Sequence, residues 1–119
     1  EKVDEGKVLY QKKIKLNCDE TGYSLYHKLA STFINEFDNF FVDLLSNLIT
    51  PSPSCSGGRY FPRKVPHDGI INPAWGDDRI EAFIRAMFFP FKQGAILRRN
   101  GRCFECSTME EYLRYSKKS

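Results

Sequence analysis

Hydrophobic residues recur at helical spacing in two parts of the chain, and the first stripe is the longer. It contains Leu25, Leu29, Phe33, Phe37, Phe41, Leu44, Leu45 and Leu48. This pattern predicts a helix from about Tyr23 to Ile49, with Thr21 as its N-cap. The breaker-rich segment that begins at Thr50 and Pro51 ends it. Because so wide an apolar stripe needs cover over most of its length, we expect that its packing partner is missing from this chain.

The second stripe is shorter and follows a basic, aromatic loop from Gly57 to Gly76. It consists of Ile80, Phe83, Ile84, Met87 and Phe88. Asp78 and Glu81 form a capping-box pattern at its start, and Pro90 ends it. A well-anchored helix would hold the loop in place, and loops on rigid supports are where binding residues concentrate.

Two further segments read as extended structure. Apolar and polar residues alternate from Lys7 to Leu16, which predicts a half-exposed strand at or near a sheet edge. Between Ala95 and Cys106, the pair Asn100-Gly101 separates two short runs. This pair is the strongest short-range signal for a β-hairpin with a type I′ turn.

A last short helix is predicted after the hairpin, where Ser107 and Glu110 repeat the capping-box pattern. The order of elements is strand, long helix, loop, short helix, β-hairpin and terminal helix, which is a mixed α/β fold. We expect residues 1–119 to form a single partial domain, with the hairpin and short helix at 95–119.

Composition narrows the choice of partners only slightly. A net charge of +3 permits anionic ligands without implying nucleic acid. No apolar run approaches the ~18–20 residues that span a bilayer, so we expect no membrane partner and a cytoplasmic location. Of the four cysteines, Cys103 and Cys106 form a CxxC, but on a strand these two would face opposite sides. We predict free thiols and no metal site.

Several short motifs occur along the chain, and their order is more informative than any one of them. They are Val3–Tyr10 (VDEGKVLY), Glu20-Thr21 before the long helix, Tyr60–Lys64 (YFPRK), Asp68–Ile71 (DGII) and Ile84–Ala86 (IRA). No single motif is specific, but the ordered series resembles the C-terminal portion of the catalytic domain of 10-formyltetrahydrofolate-dependent formyltransferases, over about residues 1–104. That family includes methionyl-tRNA formyltransferases and sugar-nucleotide N-formyltransferases, and the chain is most similar to the latter.

The resemblance implies a specific chemistry. In that family an Asn-x-His pair and an aspartate surround the formyl group carried by 10-formyltetrahydrofolate, and Asp4 matches the aspartate. Val3 and Gly6 would then border the cofactor. No Asn-x-His occurs in this chain. We therefore expect turnover only together with the upstream part of the same enzyme or a partner chain.

A cationic and aromatic cluster supplies the candidate substrate site. Arg59, Tyr60, Arg63 and Lys64 would hold the nucleotide of an amino sugar, because guanidinium groups bind phosphate bidentately and tyrosine offers a stacking face. The alternative is a solvated loop whose Tyr60 and Phe61 pack into the core.

We expect structural roles for most of the other conspicuous residues. Arg85 is expected to reach a carboxylate or a loop carbonyl, and Trp75 to anchor the loop by packing. His27 is expected to be a surface or packing histidine, and His67 to belong to a turn, with a polar contact to a ligand as the alternative. The phenylalanines of the long helix are expected in the core, at positions 33, 37, 40 and 41.

The favoured function is formyl transfer to the amino group of a nucleotide-linked amino sugar, as part of a longer or complemented enzyme. The first alternative is a fragment of a methionyl-tRNA formyltransferase. If Ser119 is the true end of the protein, the 13 residues Ser107–Ser119 are too few for the C-terminal barrel that those enzymes carry, and the sugar class is favoured. The second alternative is a non-catalytic remnant or interaction module, in which the apolar stripe buries against a partner or its own copy; a homodimer stays open.

Overall fold

The computed structural model describes residues 6–53 and 59–117, which group into two compact units. The first unit contains the residues up to Lys15 and Lys28–Pro62, and the second contains Leu16–His27 and the chain from Arg63 onward. Helix α1, Gly22–Leu45, begins in the second unit and continues through the first. Whether the chain acts as a single domain stays a prediction.

The N-terminal cap of α1 is the one that the sequence predicts. The backbone N–H of Ser24 donates to Thr21 Oγ1 at 3.0 Å, and that of Thr21 donates to Ser24 Oγ at 2.9 Å. The two bonds satisfy amide groups that the first turn of a helix leaves without partners.

Helix α1 ends at Leu45, short of the predicted Ile49. Asn47 adopts a left-handed conformation with φ 54°. The N–H of Leu48 then donates to the carbonyl of Asp43 at 2.9 Å, and that of Asn47 to the carbonyl of Leu44 at 3.2 Å. This is a Schellman cap with asparagine at C′, so the helix stops before the proline signal downstream.

The apolar stripe of α1 is uncovered, since no described residue of this helix is buried. Phe33 is 67% exposed and Phe37 43% exposed. Their rings and that of Phe41 contact one another in sequence, with centroid distances of 5.7 and 5.9 Å. The prediction that these phenylalanines form a core is wrong for Phe33, Phe37 and Phe41, which are all exposed. Phe40 is half-buried, and its ring contacts that of Tyr10 at 5.6 Å.

The predicted strand over Lys7–Leu16 is reduced to one bridge. Val8 pairs antiparallel with Ser52 through two backbone hydrogen bonds of 2.9 Å. A strand needs a hydrogen-bonded neighbour along its length, and the described residues provide a partner for Val8 alone.

The second unit holds the core. Its elements are a 3₁₀ turn (Pro66–Gly69), α2 (Asp77–Met87), β1 (Ala95–Arg99), β2 (Arg102–Cys106) and α3 (Met109–Lys117). The buried side chains come from the loop and all four later elements: Ile71, Ile80, Ile84, Ala95, Leu97, Cys106 and Tyr112. Four residues of the stripe predicted for α2 therefore face the core, namely Ile80, Phe83, Ile84 and Met87. The fifth, Phe88, is the C-cap of the helix and is exposed. In residues 6–53 and 59–117, no helix is both long and apolar enough to cross a bilayer.

The predicted hairpin is confirmed. Strands β1 and β2 pair antiparallel, from Ala95 opposite Cys106 to Arg99 opposite Arg102. Asn100 and Gly101 have φ values of 49° and 72°, the two positive angles that a type I′ turn requires.

The capping boxes predicted for the two shorter helices are both misplaced. Helix α2 has Gly76 as its N-cap without a side-chain bond, and Asp78 lies inside the first turn, where a negative charge favours the helix dipole. Helix α3 uses Thr108 instead of Ser107: Thr108 Oγ1 accepts from the N–H of Glu111 at 3.2 Å. The carboxylate of Glu111 accepts in turn from the N–H of Ser107 at 2.8 Å.

Candidate functional site

Two of the residues that the resemblance assigns to catalysis and cofactor binding lie outside the described residues. These are Asp4, the candidate catalytic aspartate, and Val3, a candidate cofactor contact. Gly6, the other cofactor candidate, is described and exposed, and nothing lies within 4 Å of where its Cβ would be. All three assignments stay predictions.

The candidate substrate cluster lies on an exposed loop. Arg59 and Tyr60 belong to the first unit, and Arg63 and Lys64 belong to the second. Tyr60 is 88% exposed and Phe61 is 80% exposed, so the alternative in which both pack into the core is wrong. The side chains are accessible to a ligand, and their binding of a nucleotide stays a prediction.

A cleft of about 470 Å³ opens directly after this loop, within the second unit. It is lined by His67, Asp68, Ile70, Ile71, Asn72, Pro73, Trp75 and Arg98. Seven of these eight residues come from the loop between Lys64 and α2, and Arg98 comes from β1. The DGII motif therefore forms part of the lining of a cleft, which its sequence alone does not show.

The floor of the cleft is tied to the sheet. Ile70 pairs in parallel with Ile96 of β1, and the N–H of Ile71 donates to the Ile96 carbonyl at 2.8 Å. Ile71 is only 1% exposed, so its side chain anchors this strand-like segment in the core. Beyond it, Asn72 Oδ1 accepts from the N–H of Ala74 at 2.9 Å, which fixes the turn towards α2.

One wall of the cleft is an aromatic cluster around Trp75. The indole meets the His67 ring at 4.8 Å and the Phe83 ring at 5.3 Å, both edge to face. The Arg79 guanidinium lies 4.4 Å from the indole centroid, within cation–π range. The packing role expected for Trp75 is confirmed, and His67 lies in the 3₁₀ turn, as the turn structure expected for it requires.

The backbone at the rim of the cleft is strained. His67, Asp68 and Gly69 are consecutive left-handed residues, with φ values of 53°, 52° and 74°. The conformation suits glycine but costs about 1–2 kcal/mol for each of the other two. The N–H of Asp68 still donates to the Val65 carbonyl at 3.0 Å. Such strain persists where the surroundings enforce it, and it concentrates at functional sites.

A second, more apolar groove of about 520 Å³ lies in the first unit, between residues 8–14 and α1. Glu36 accepts hydrogen bonds there from Lys12 and from the hydroxyl of Tyr10. The bond from Lys12, followed by that from Tyr10, lowers the pKa of the Glu36 carboxyl. The same bonds to Glu36 raise the pKa of Tyr10 and of Lys12. The sequence signal for this cluster is Lys12, which interrupts an otherwise apolar face.

Arg85 reaches a loop carbonyl, as its position on α2 predicts. Its Nη1 donates to the carbonyl of Glu20 at 3.2 Å, and its Nε lies 4.0 Å from the Glu81 carboxylate. The bond joins the middle of the chain to the residue just before the N-cap of α1. Arg85 is therefore a structural residue in this unit.

The described cysteines are free thiols, and the CxxC pair divides as a strand requires. Cys103 is exposed and Cys106 is buried, so the two point to opposite faces of β2. Cys18 is also exposed, and Cys55 lies outside the described residues. Among residues 6–53 and 59–117, no three acidic, histidine or cysteine side chains gather closely enough to hold a metal ion.

Known proteins resemble this chain along nearly its whole length. No family model matches it. GDP-perosamine N-formyltransferases of Brucella melitensis biotype 1 and Brucella abortus are each 29% identical over 113 residues, which is 94% of this chain and 43% of the relative. The resemblance to sugar-nucleotide N-formyltransferases is confirmed. The chain spans less than half the length of these curated relatives.

A solved structure shows the same fold. The 4-N formyltransferase from Francisella tularensis matches with a TM-score of 0.72 and 22% identity. The match covers 90% of this chain and 46% of that protein. The mixed α/β fold expected from the sequence is thus that of part of a formyltransferase.

Proposed function

We propose that this chain is part of an enzyme that transfers a formyl group from 10-formyltetrahydrofolate to the amino group of a nucleotide-linked amino sugar. The observation that carries the proposal is the similarity over 94% of the chain to GDP-perosamine N-formyltransferases. Both curated relatives are named for a sugar nucleotide, which favours this class over the methionyl-tRNA alternative. In this proposal the reaction takes place in the cytoplasm.

The remainder of the enzyme is the second participant. The chain corresponds to 43% of its curated relatives, so more than half of their length has no counterpart here. The uncovered stripe of α1 supports the same view, because large apolar patches on soluble proteins usually mark an interface. The missing cover belongs to an upstream part of the same polypeptide or to a partner chain.

The residues of this chain have distinct proposed roles. The sugar amine attacks the formyl carbon, the bond from that carbon to N10 of the folate breaks, and the amine proton passes to N10. The Asp4 carboxylate stabilises a cationic histidine ring that the other part supplies. Arg59, Arg63 and Lys64 neutralise the diphosphate, and Tyr60 stacks on the sugar or the base. Val3 and Gly6 border the folate.

The test begins with the native polypeptide and its coding sequence. If an Asn-x-His precedes Asp4, the complete enzyme should release tetrahydrofolate when it is given 10-formyltetrahydrofolate and a GDP-linked amino sugar. Asp4→Asn should lower kcat by about 100-fold or more, the usual size of an acid–base contribution. Asp19→Asn, a change at an exposed aspartate before α1, is the matched control and should leave kcat unchanged.

Two results would contradict the proposal. One is full activity in Asp4→Asn, which would remove the aspartate from the mechanism. The other is formylation of methionyl-tRNA instead of any nucleotide-linked amino sugar, which would establish the alternative acceptor.

A further inference from the structure

The cleft that follows the candidate substrate cluster contains one hydrogen-bond acceptor group and one donor group that have no partner among the described side chains. The Asp68 carboxylate only accepts hydrogen bonds, and the Arg98 guanidinium only donates them. Both side chains line the cleft, and neither makes an ion pair or a side-chain hydrogen bond to another described residue. Opposite charges that share a cleft without pairing are both available to a ligand.

A carboxylate and a guanidinium that line the same cleft suit a flat ligand that has both a donor edge and an acceptor edge. Guanine has this pattern: N1–H and the N2 amino group donate, while O6 and N7 accept. Arginine is the usual bidentate partner of O6 and N7. Uracil and thymine offer one ring N–H between two carbonyls, and adenine lacks the paired donors, so neither matches both side chains at once.

We propose that this cleft binds the guanine base of a guanosine diphosphate-linked sugar. Asp68 accepts from N1–H and the N2 amino group, and Arg98 donates to O6 and N7. Trp75 and Pro73 supply the apolar lining against which the ring packs. The proposal rests on the proposed function, and it adds the base that the enzyme reads and the two side chains that read it.

Chain connectivity places the cleft within reach of a nucleotide's phosphates. Lys64 precedes Asp68 by four residues, which span at most about 14 Å. A diphosphate held by Arg63 and Lys64 therefore leaves its base within reach of Asp68. The backbone of His67 and Asp68 is left-handed at this rim of the cleft, and such costly conformations concentrate at functional sites.

The chain contains a local probe for this binding, because Trp75 is its only tryptophan and lines the cleft. GDP, UDP, dTDP and ADP are titrated separately into the 119-residue chain while tryptophan emission is recorded with excitation at a wavelength that nucleotides do not absorb. We expect a saturable change with GDP and at least about tenfold weaker binding of the other three, the discrimination of one good bidentate contact.

Two matched pairs of variants assign the readout to the proposed residues. Asp68→Asn and Arg98→Gln should each weaken GDP binding by about tenfold or more. Asp78→Asn on α2 and Arg102→Gln on β2 change exposed residues of the same charge and should have no effect. Asp68→Gly separates binding from folding, because glycine relieves the positive φ: its melting temperature should not fall, although GDP binding is lost.

The proposal is overturned if GDP gives no saturable change, if all four nucleotides bind equally, or if Asp68→Asn binds GDP like the parent. These outcomes are independent of catalysis. Formyl transfer to a UDP- or dTDP-linked amino sugar by the complete enzyme, without GDP binding in the cleft, would uphold the proposed function and reject the guanine site. GDP binding without formyl transfer would do the reverse.

Discussion

Glu36 shows how one carboxylate can hold an extended segment against a helix. It accepts from Lys12 and Tyr10, and the bond from Lys12 is the larger cause of its lowered pKa. Its contribution to stability is therefore present above the ordinary carboxyl pKa and is lost as the pH falls through the lowered value. Lys12 and Tyr10 have raised pKa values. Their contributions to stability are therefore present when the pH is below their ordinary pKa values, and are lost as the pH rises through the raised pKa values.

Removing the ammonium group should therefore change the titration of its partner. In Lys12→Met the pKa of Glu36 should rise towards its ordinary value, because the hydrogen bond that lowers this pKa most is gone. Carboxyl ¹³C chemical shifts followed against pH measure this directly. Lys13→Met is the control, since it removes the next exposed lysine without touching the cluster. An unchanged Glu36 titration in Lys12→Met would show that the bond does not form in solution.

Asn47 sets the end of α1 through its left-handed conformation. Asn47→Ala should destabilise the helix end by about 1–2 kcal/mol, because a Cβ without a local hydrogen bond disfavours positive φ. Asn47→Gly should be neutral or stabilising. Amide exchange of Leu48, whose N–H closes the cap, measures the effect, and Ser46→Ala at the preceding exposed position is the control. Equal exchange in the alanine and glycine variants would contradict this account.

At the scale of elements, the start of α1 and the end of α2 are in close contact. The N–H of Tyr23 donates to the carbonyl of Phe88 at 3.0 Å. A Cβ on Gly22 would lie 2.4 Å from the carbonyl oxygen of Ala86, which is backbone and cannot rotate away. Glycine at this position is thus a packing requirement, although its φ is ordinary.

Gly22→Ala should lower the free energy of unfolding by about 1–3 kcal/mol, the usual cost of overpacking. Gly76→Ala provides the comparison, since it also lies at a helix start but has open space around it. It should cost no more than about 1 kcal/mol through weaker N-capping. Denaturant unfolding of both variants measures the difference, and similar losses in the two would rule out the steric explanation.

Local signals in the sequence predicted local structure well. The Asn100-Gly101 turn, the Thr21 cap and the α2 stripe each depend on residues a few positions apart. The end of α1 was missed because Asn47 acts as a C′ residue before Pro51 does. The strand over Lys7–Leu16 was overestimated, since alternation shows which face is apolar but supplies no neighbour to pair with.

The candidate site was only partly accessible to sequence reasoning. The loop from Arg59 to Lys64 was found from its charge and aromatic content, and it is exposed as a binding loop must be. The cleft was missed because it needs Arg98 and Asp68 in one lining, an arrangement that depends on the parallel pairing of Ile70 with Ile96. No pattern of nearby residues encodes such a long-range pairing.

At the scale of the whole molecule, the exposed apolar stripe of α1 is the feature from which we predict association in solution. We expect the 119-residue chain by itself to associate through this stripe and to bind an apolar dye. Phe33→Lys should reduce both effects without loss of helical signal, because Phe33 is 67% exposed. Phe61→Lys, on a loop and 80% exposed, should change neither. Sedimentation measures association, and a monomeric parent chain would contradict the expectation.

The two cysteines of β2 allow the opening rate of the second unit to be measured by alkylation. Alkylating reagents attack the thiolate, and burial is the main cause of the raised pKa of Cys106. Cys103, on the opposite face of the same strand, reacts at the rate of an exposed thiol. The interval between the two modifications, read by mass spectrometry, times how often the hairpin separates from α2 and α3. Every variant of this unit can thus be ranked by its opening rate without a ligand or a dye.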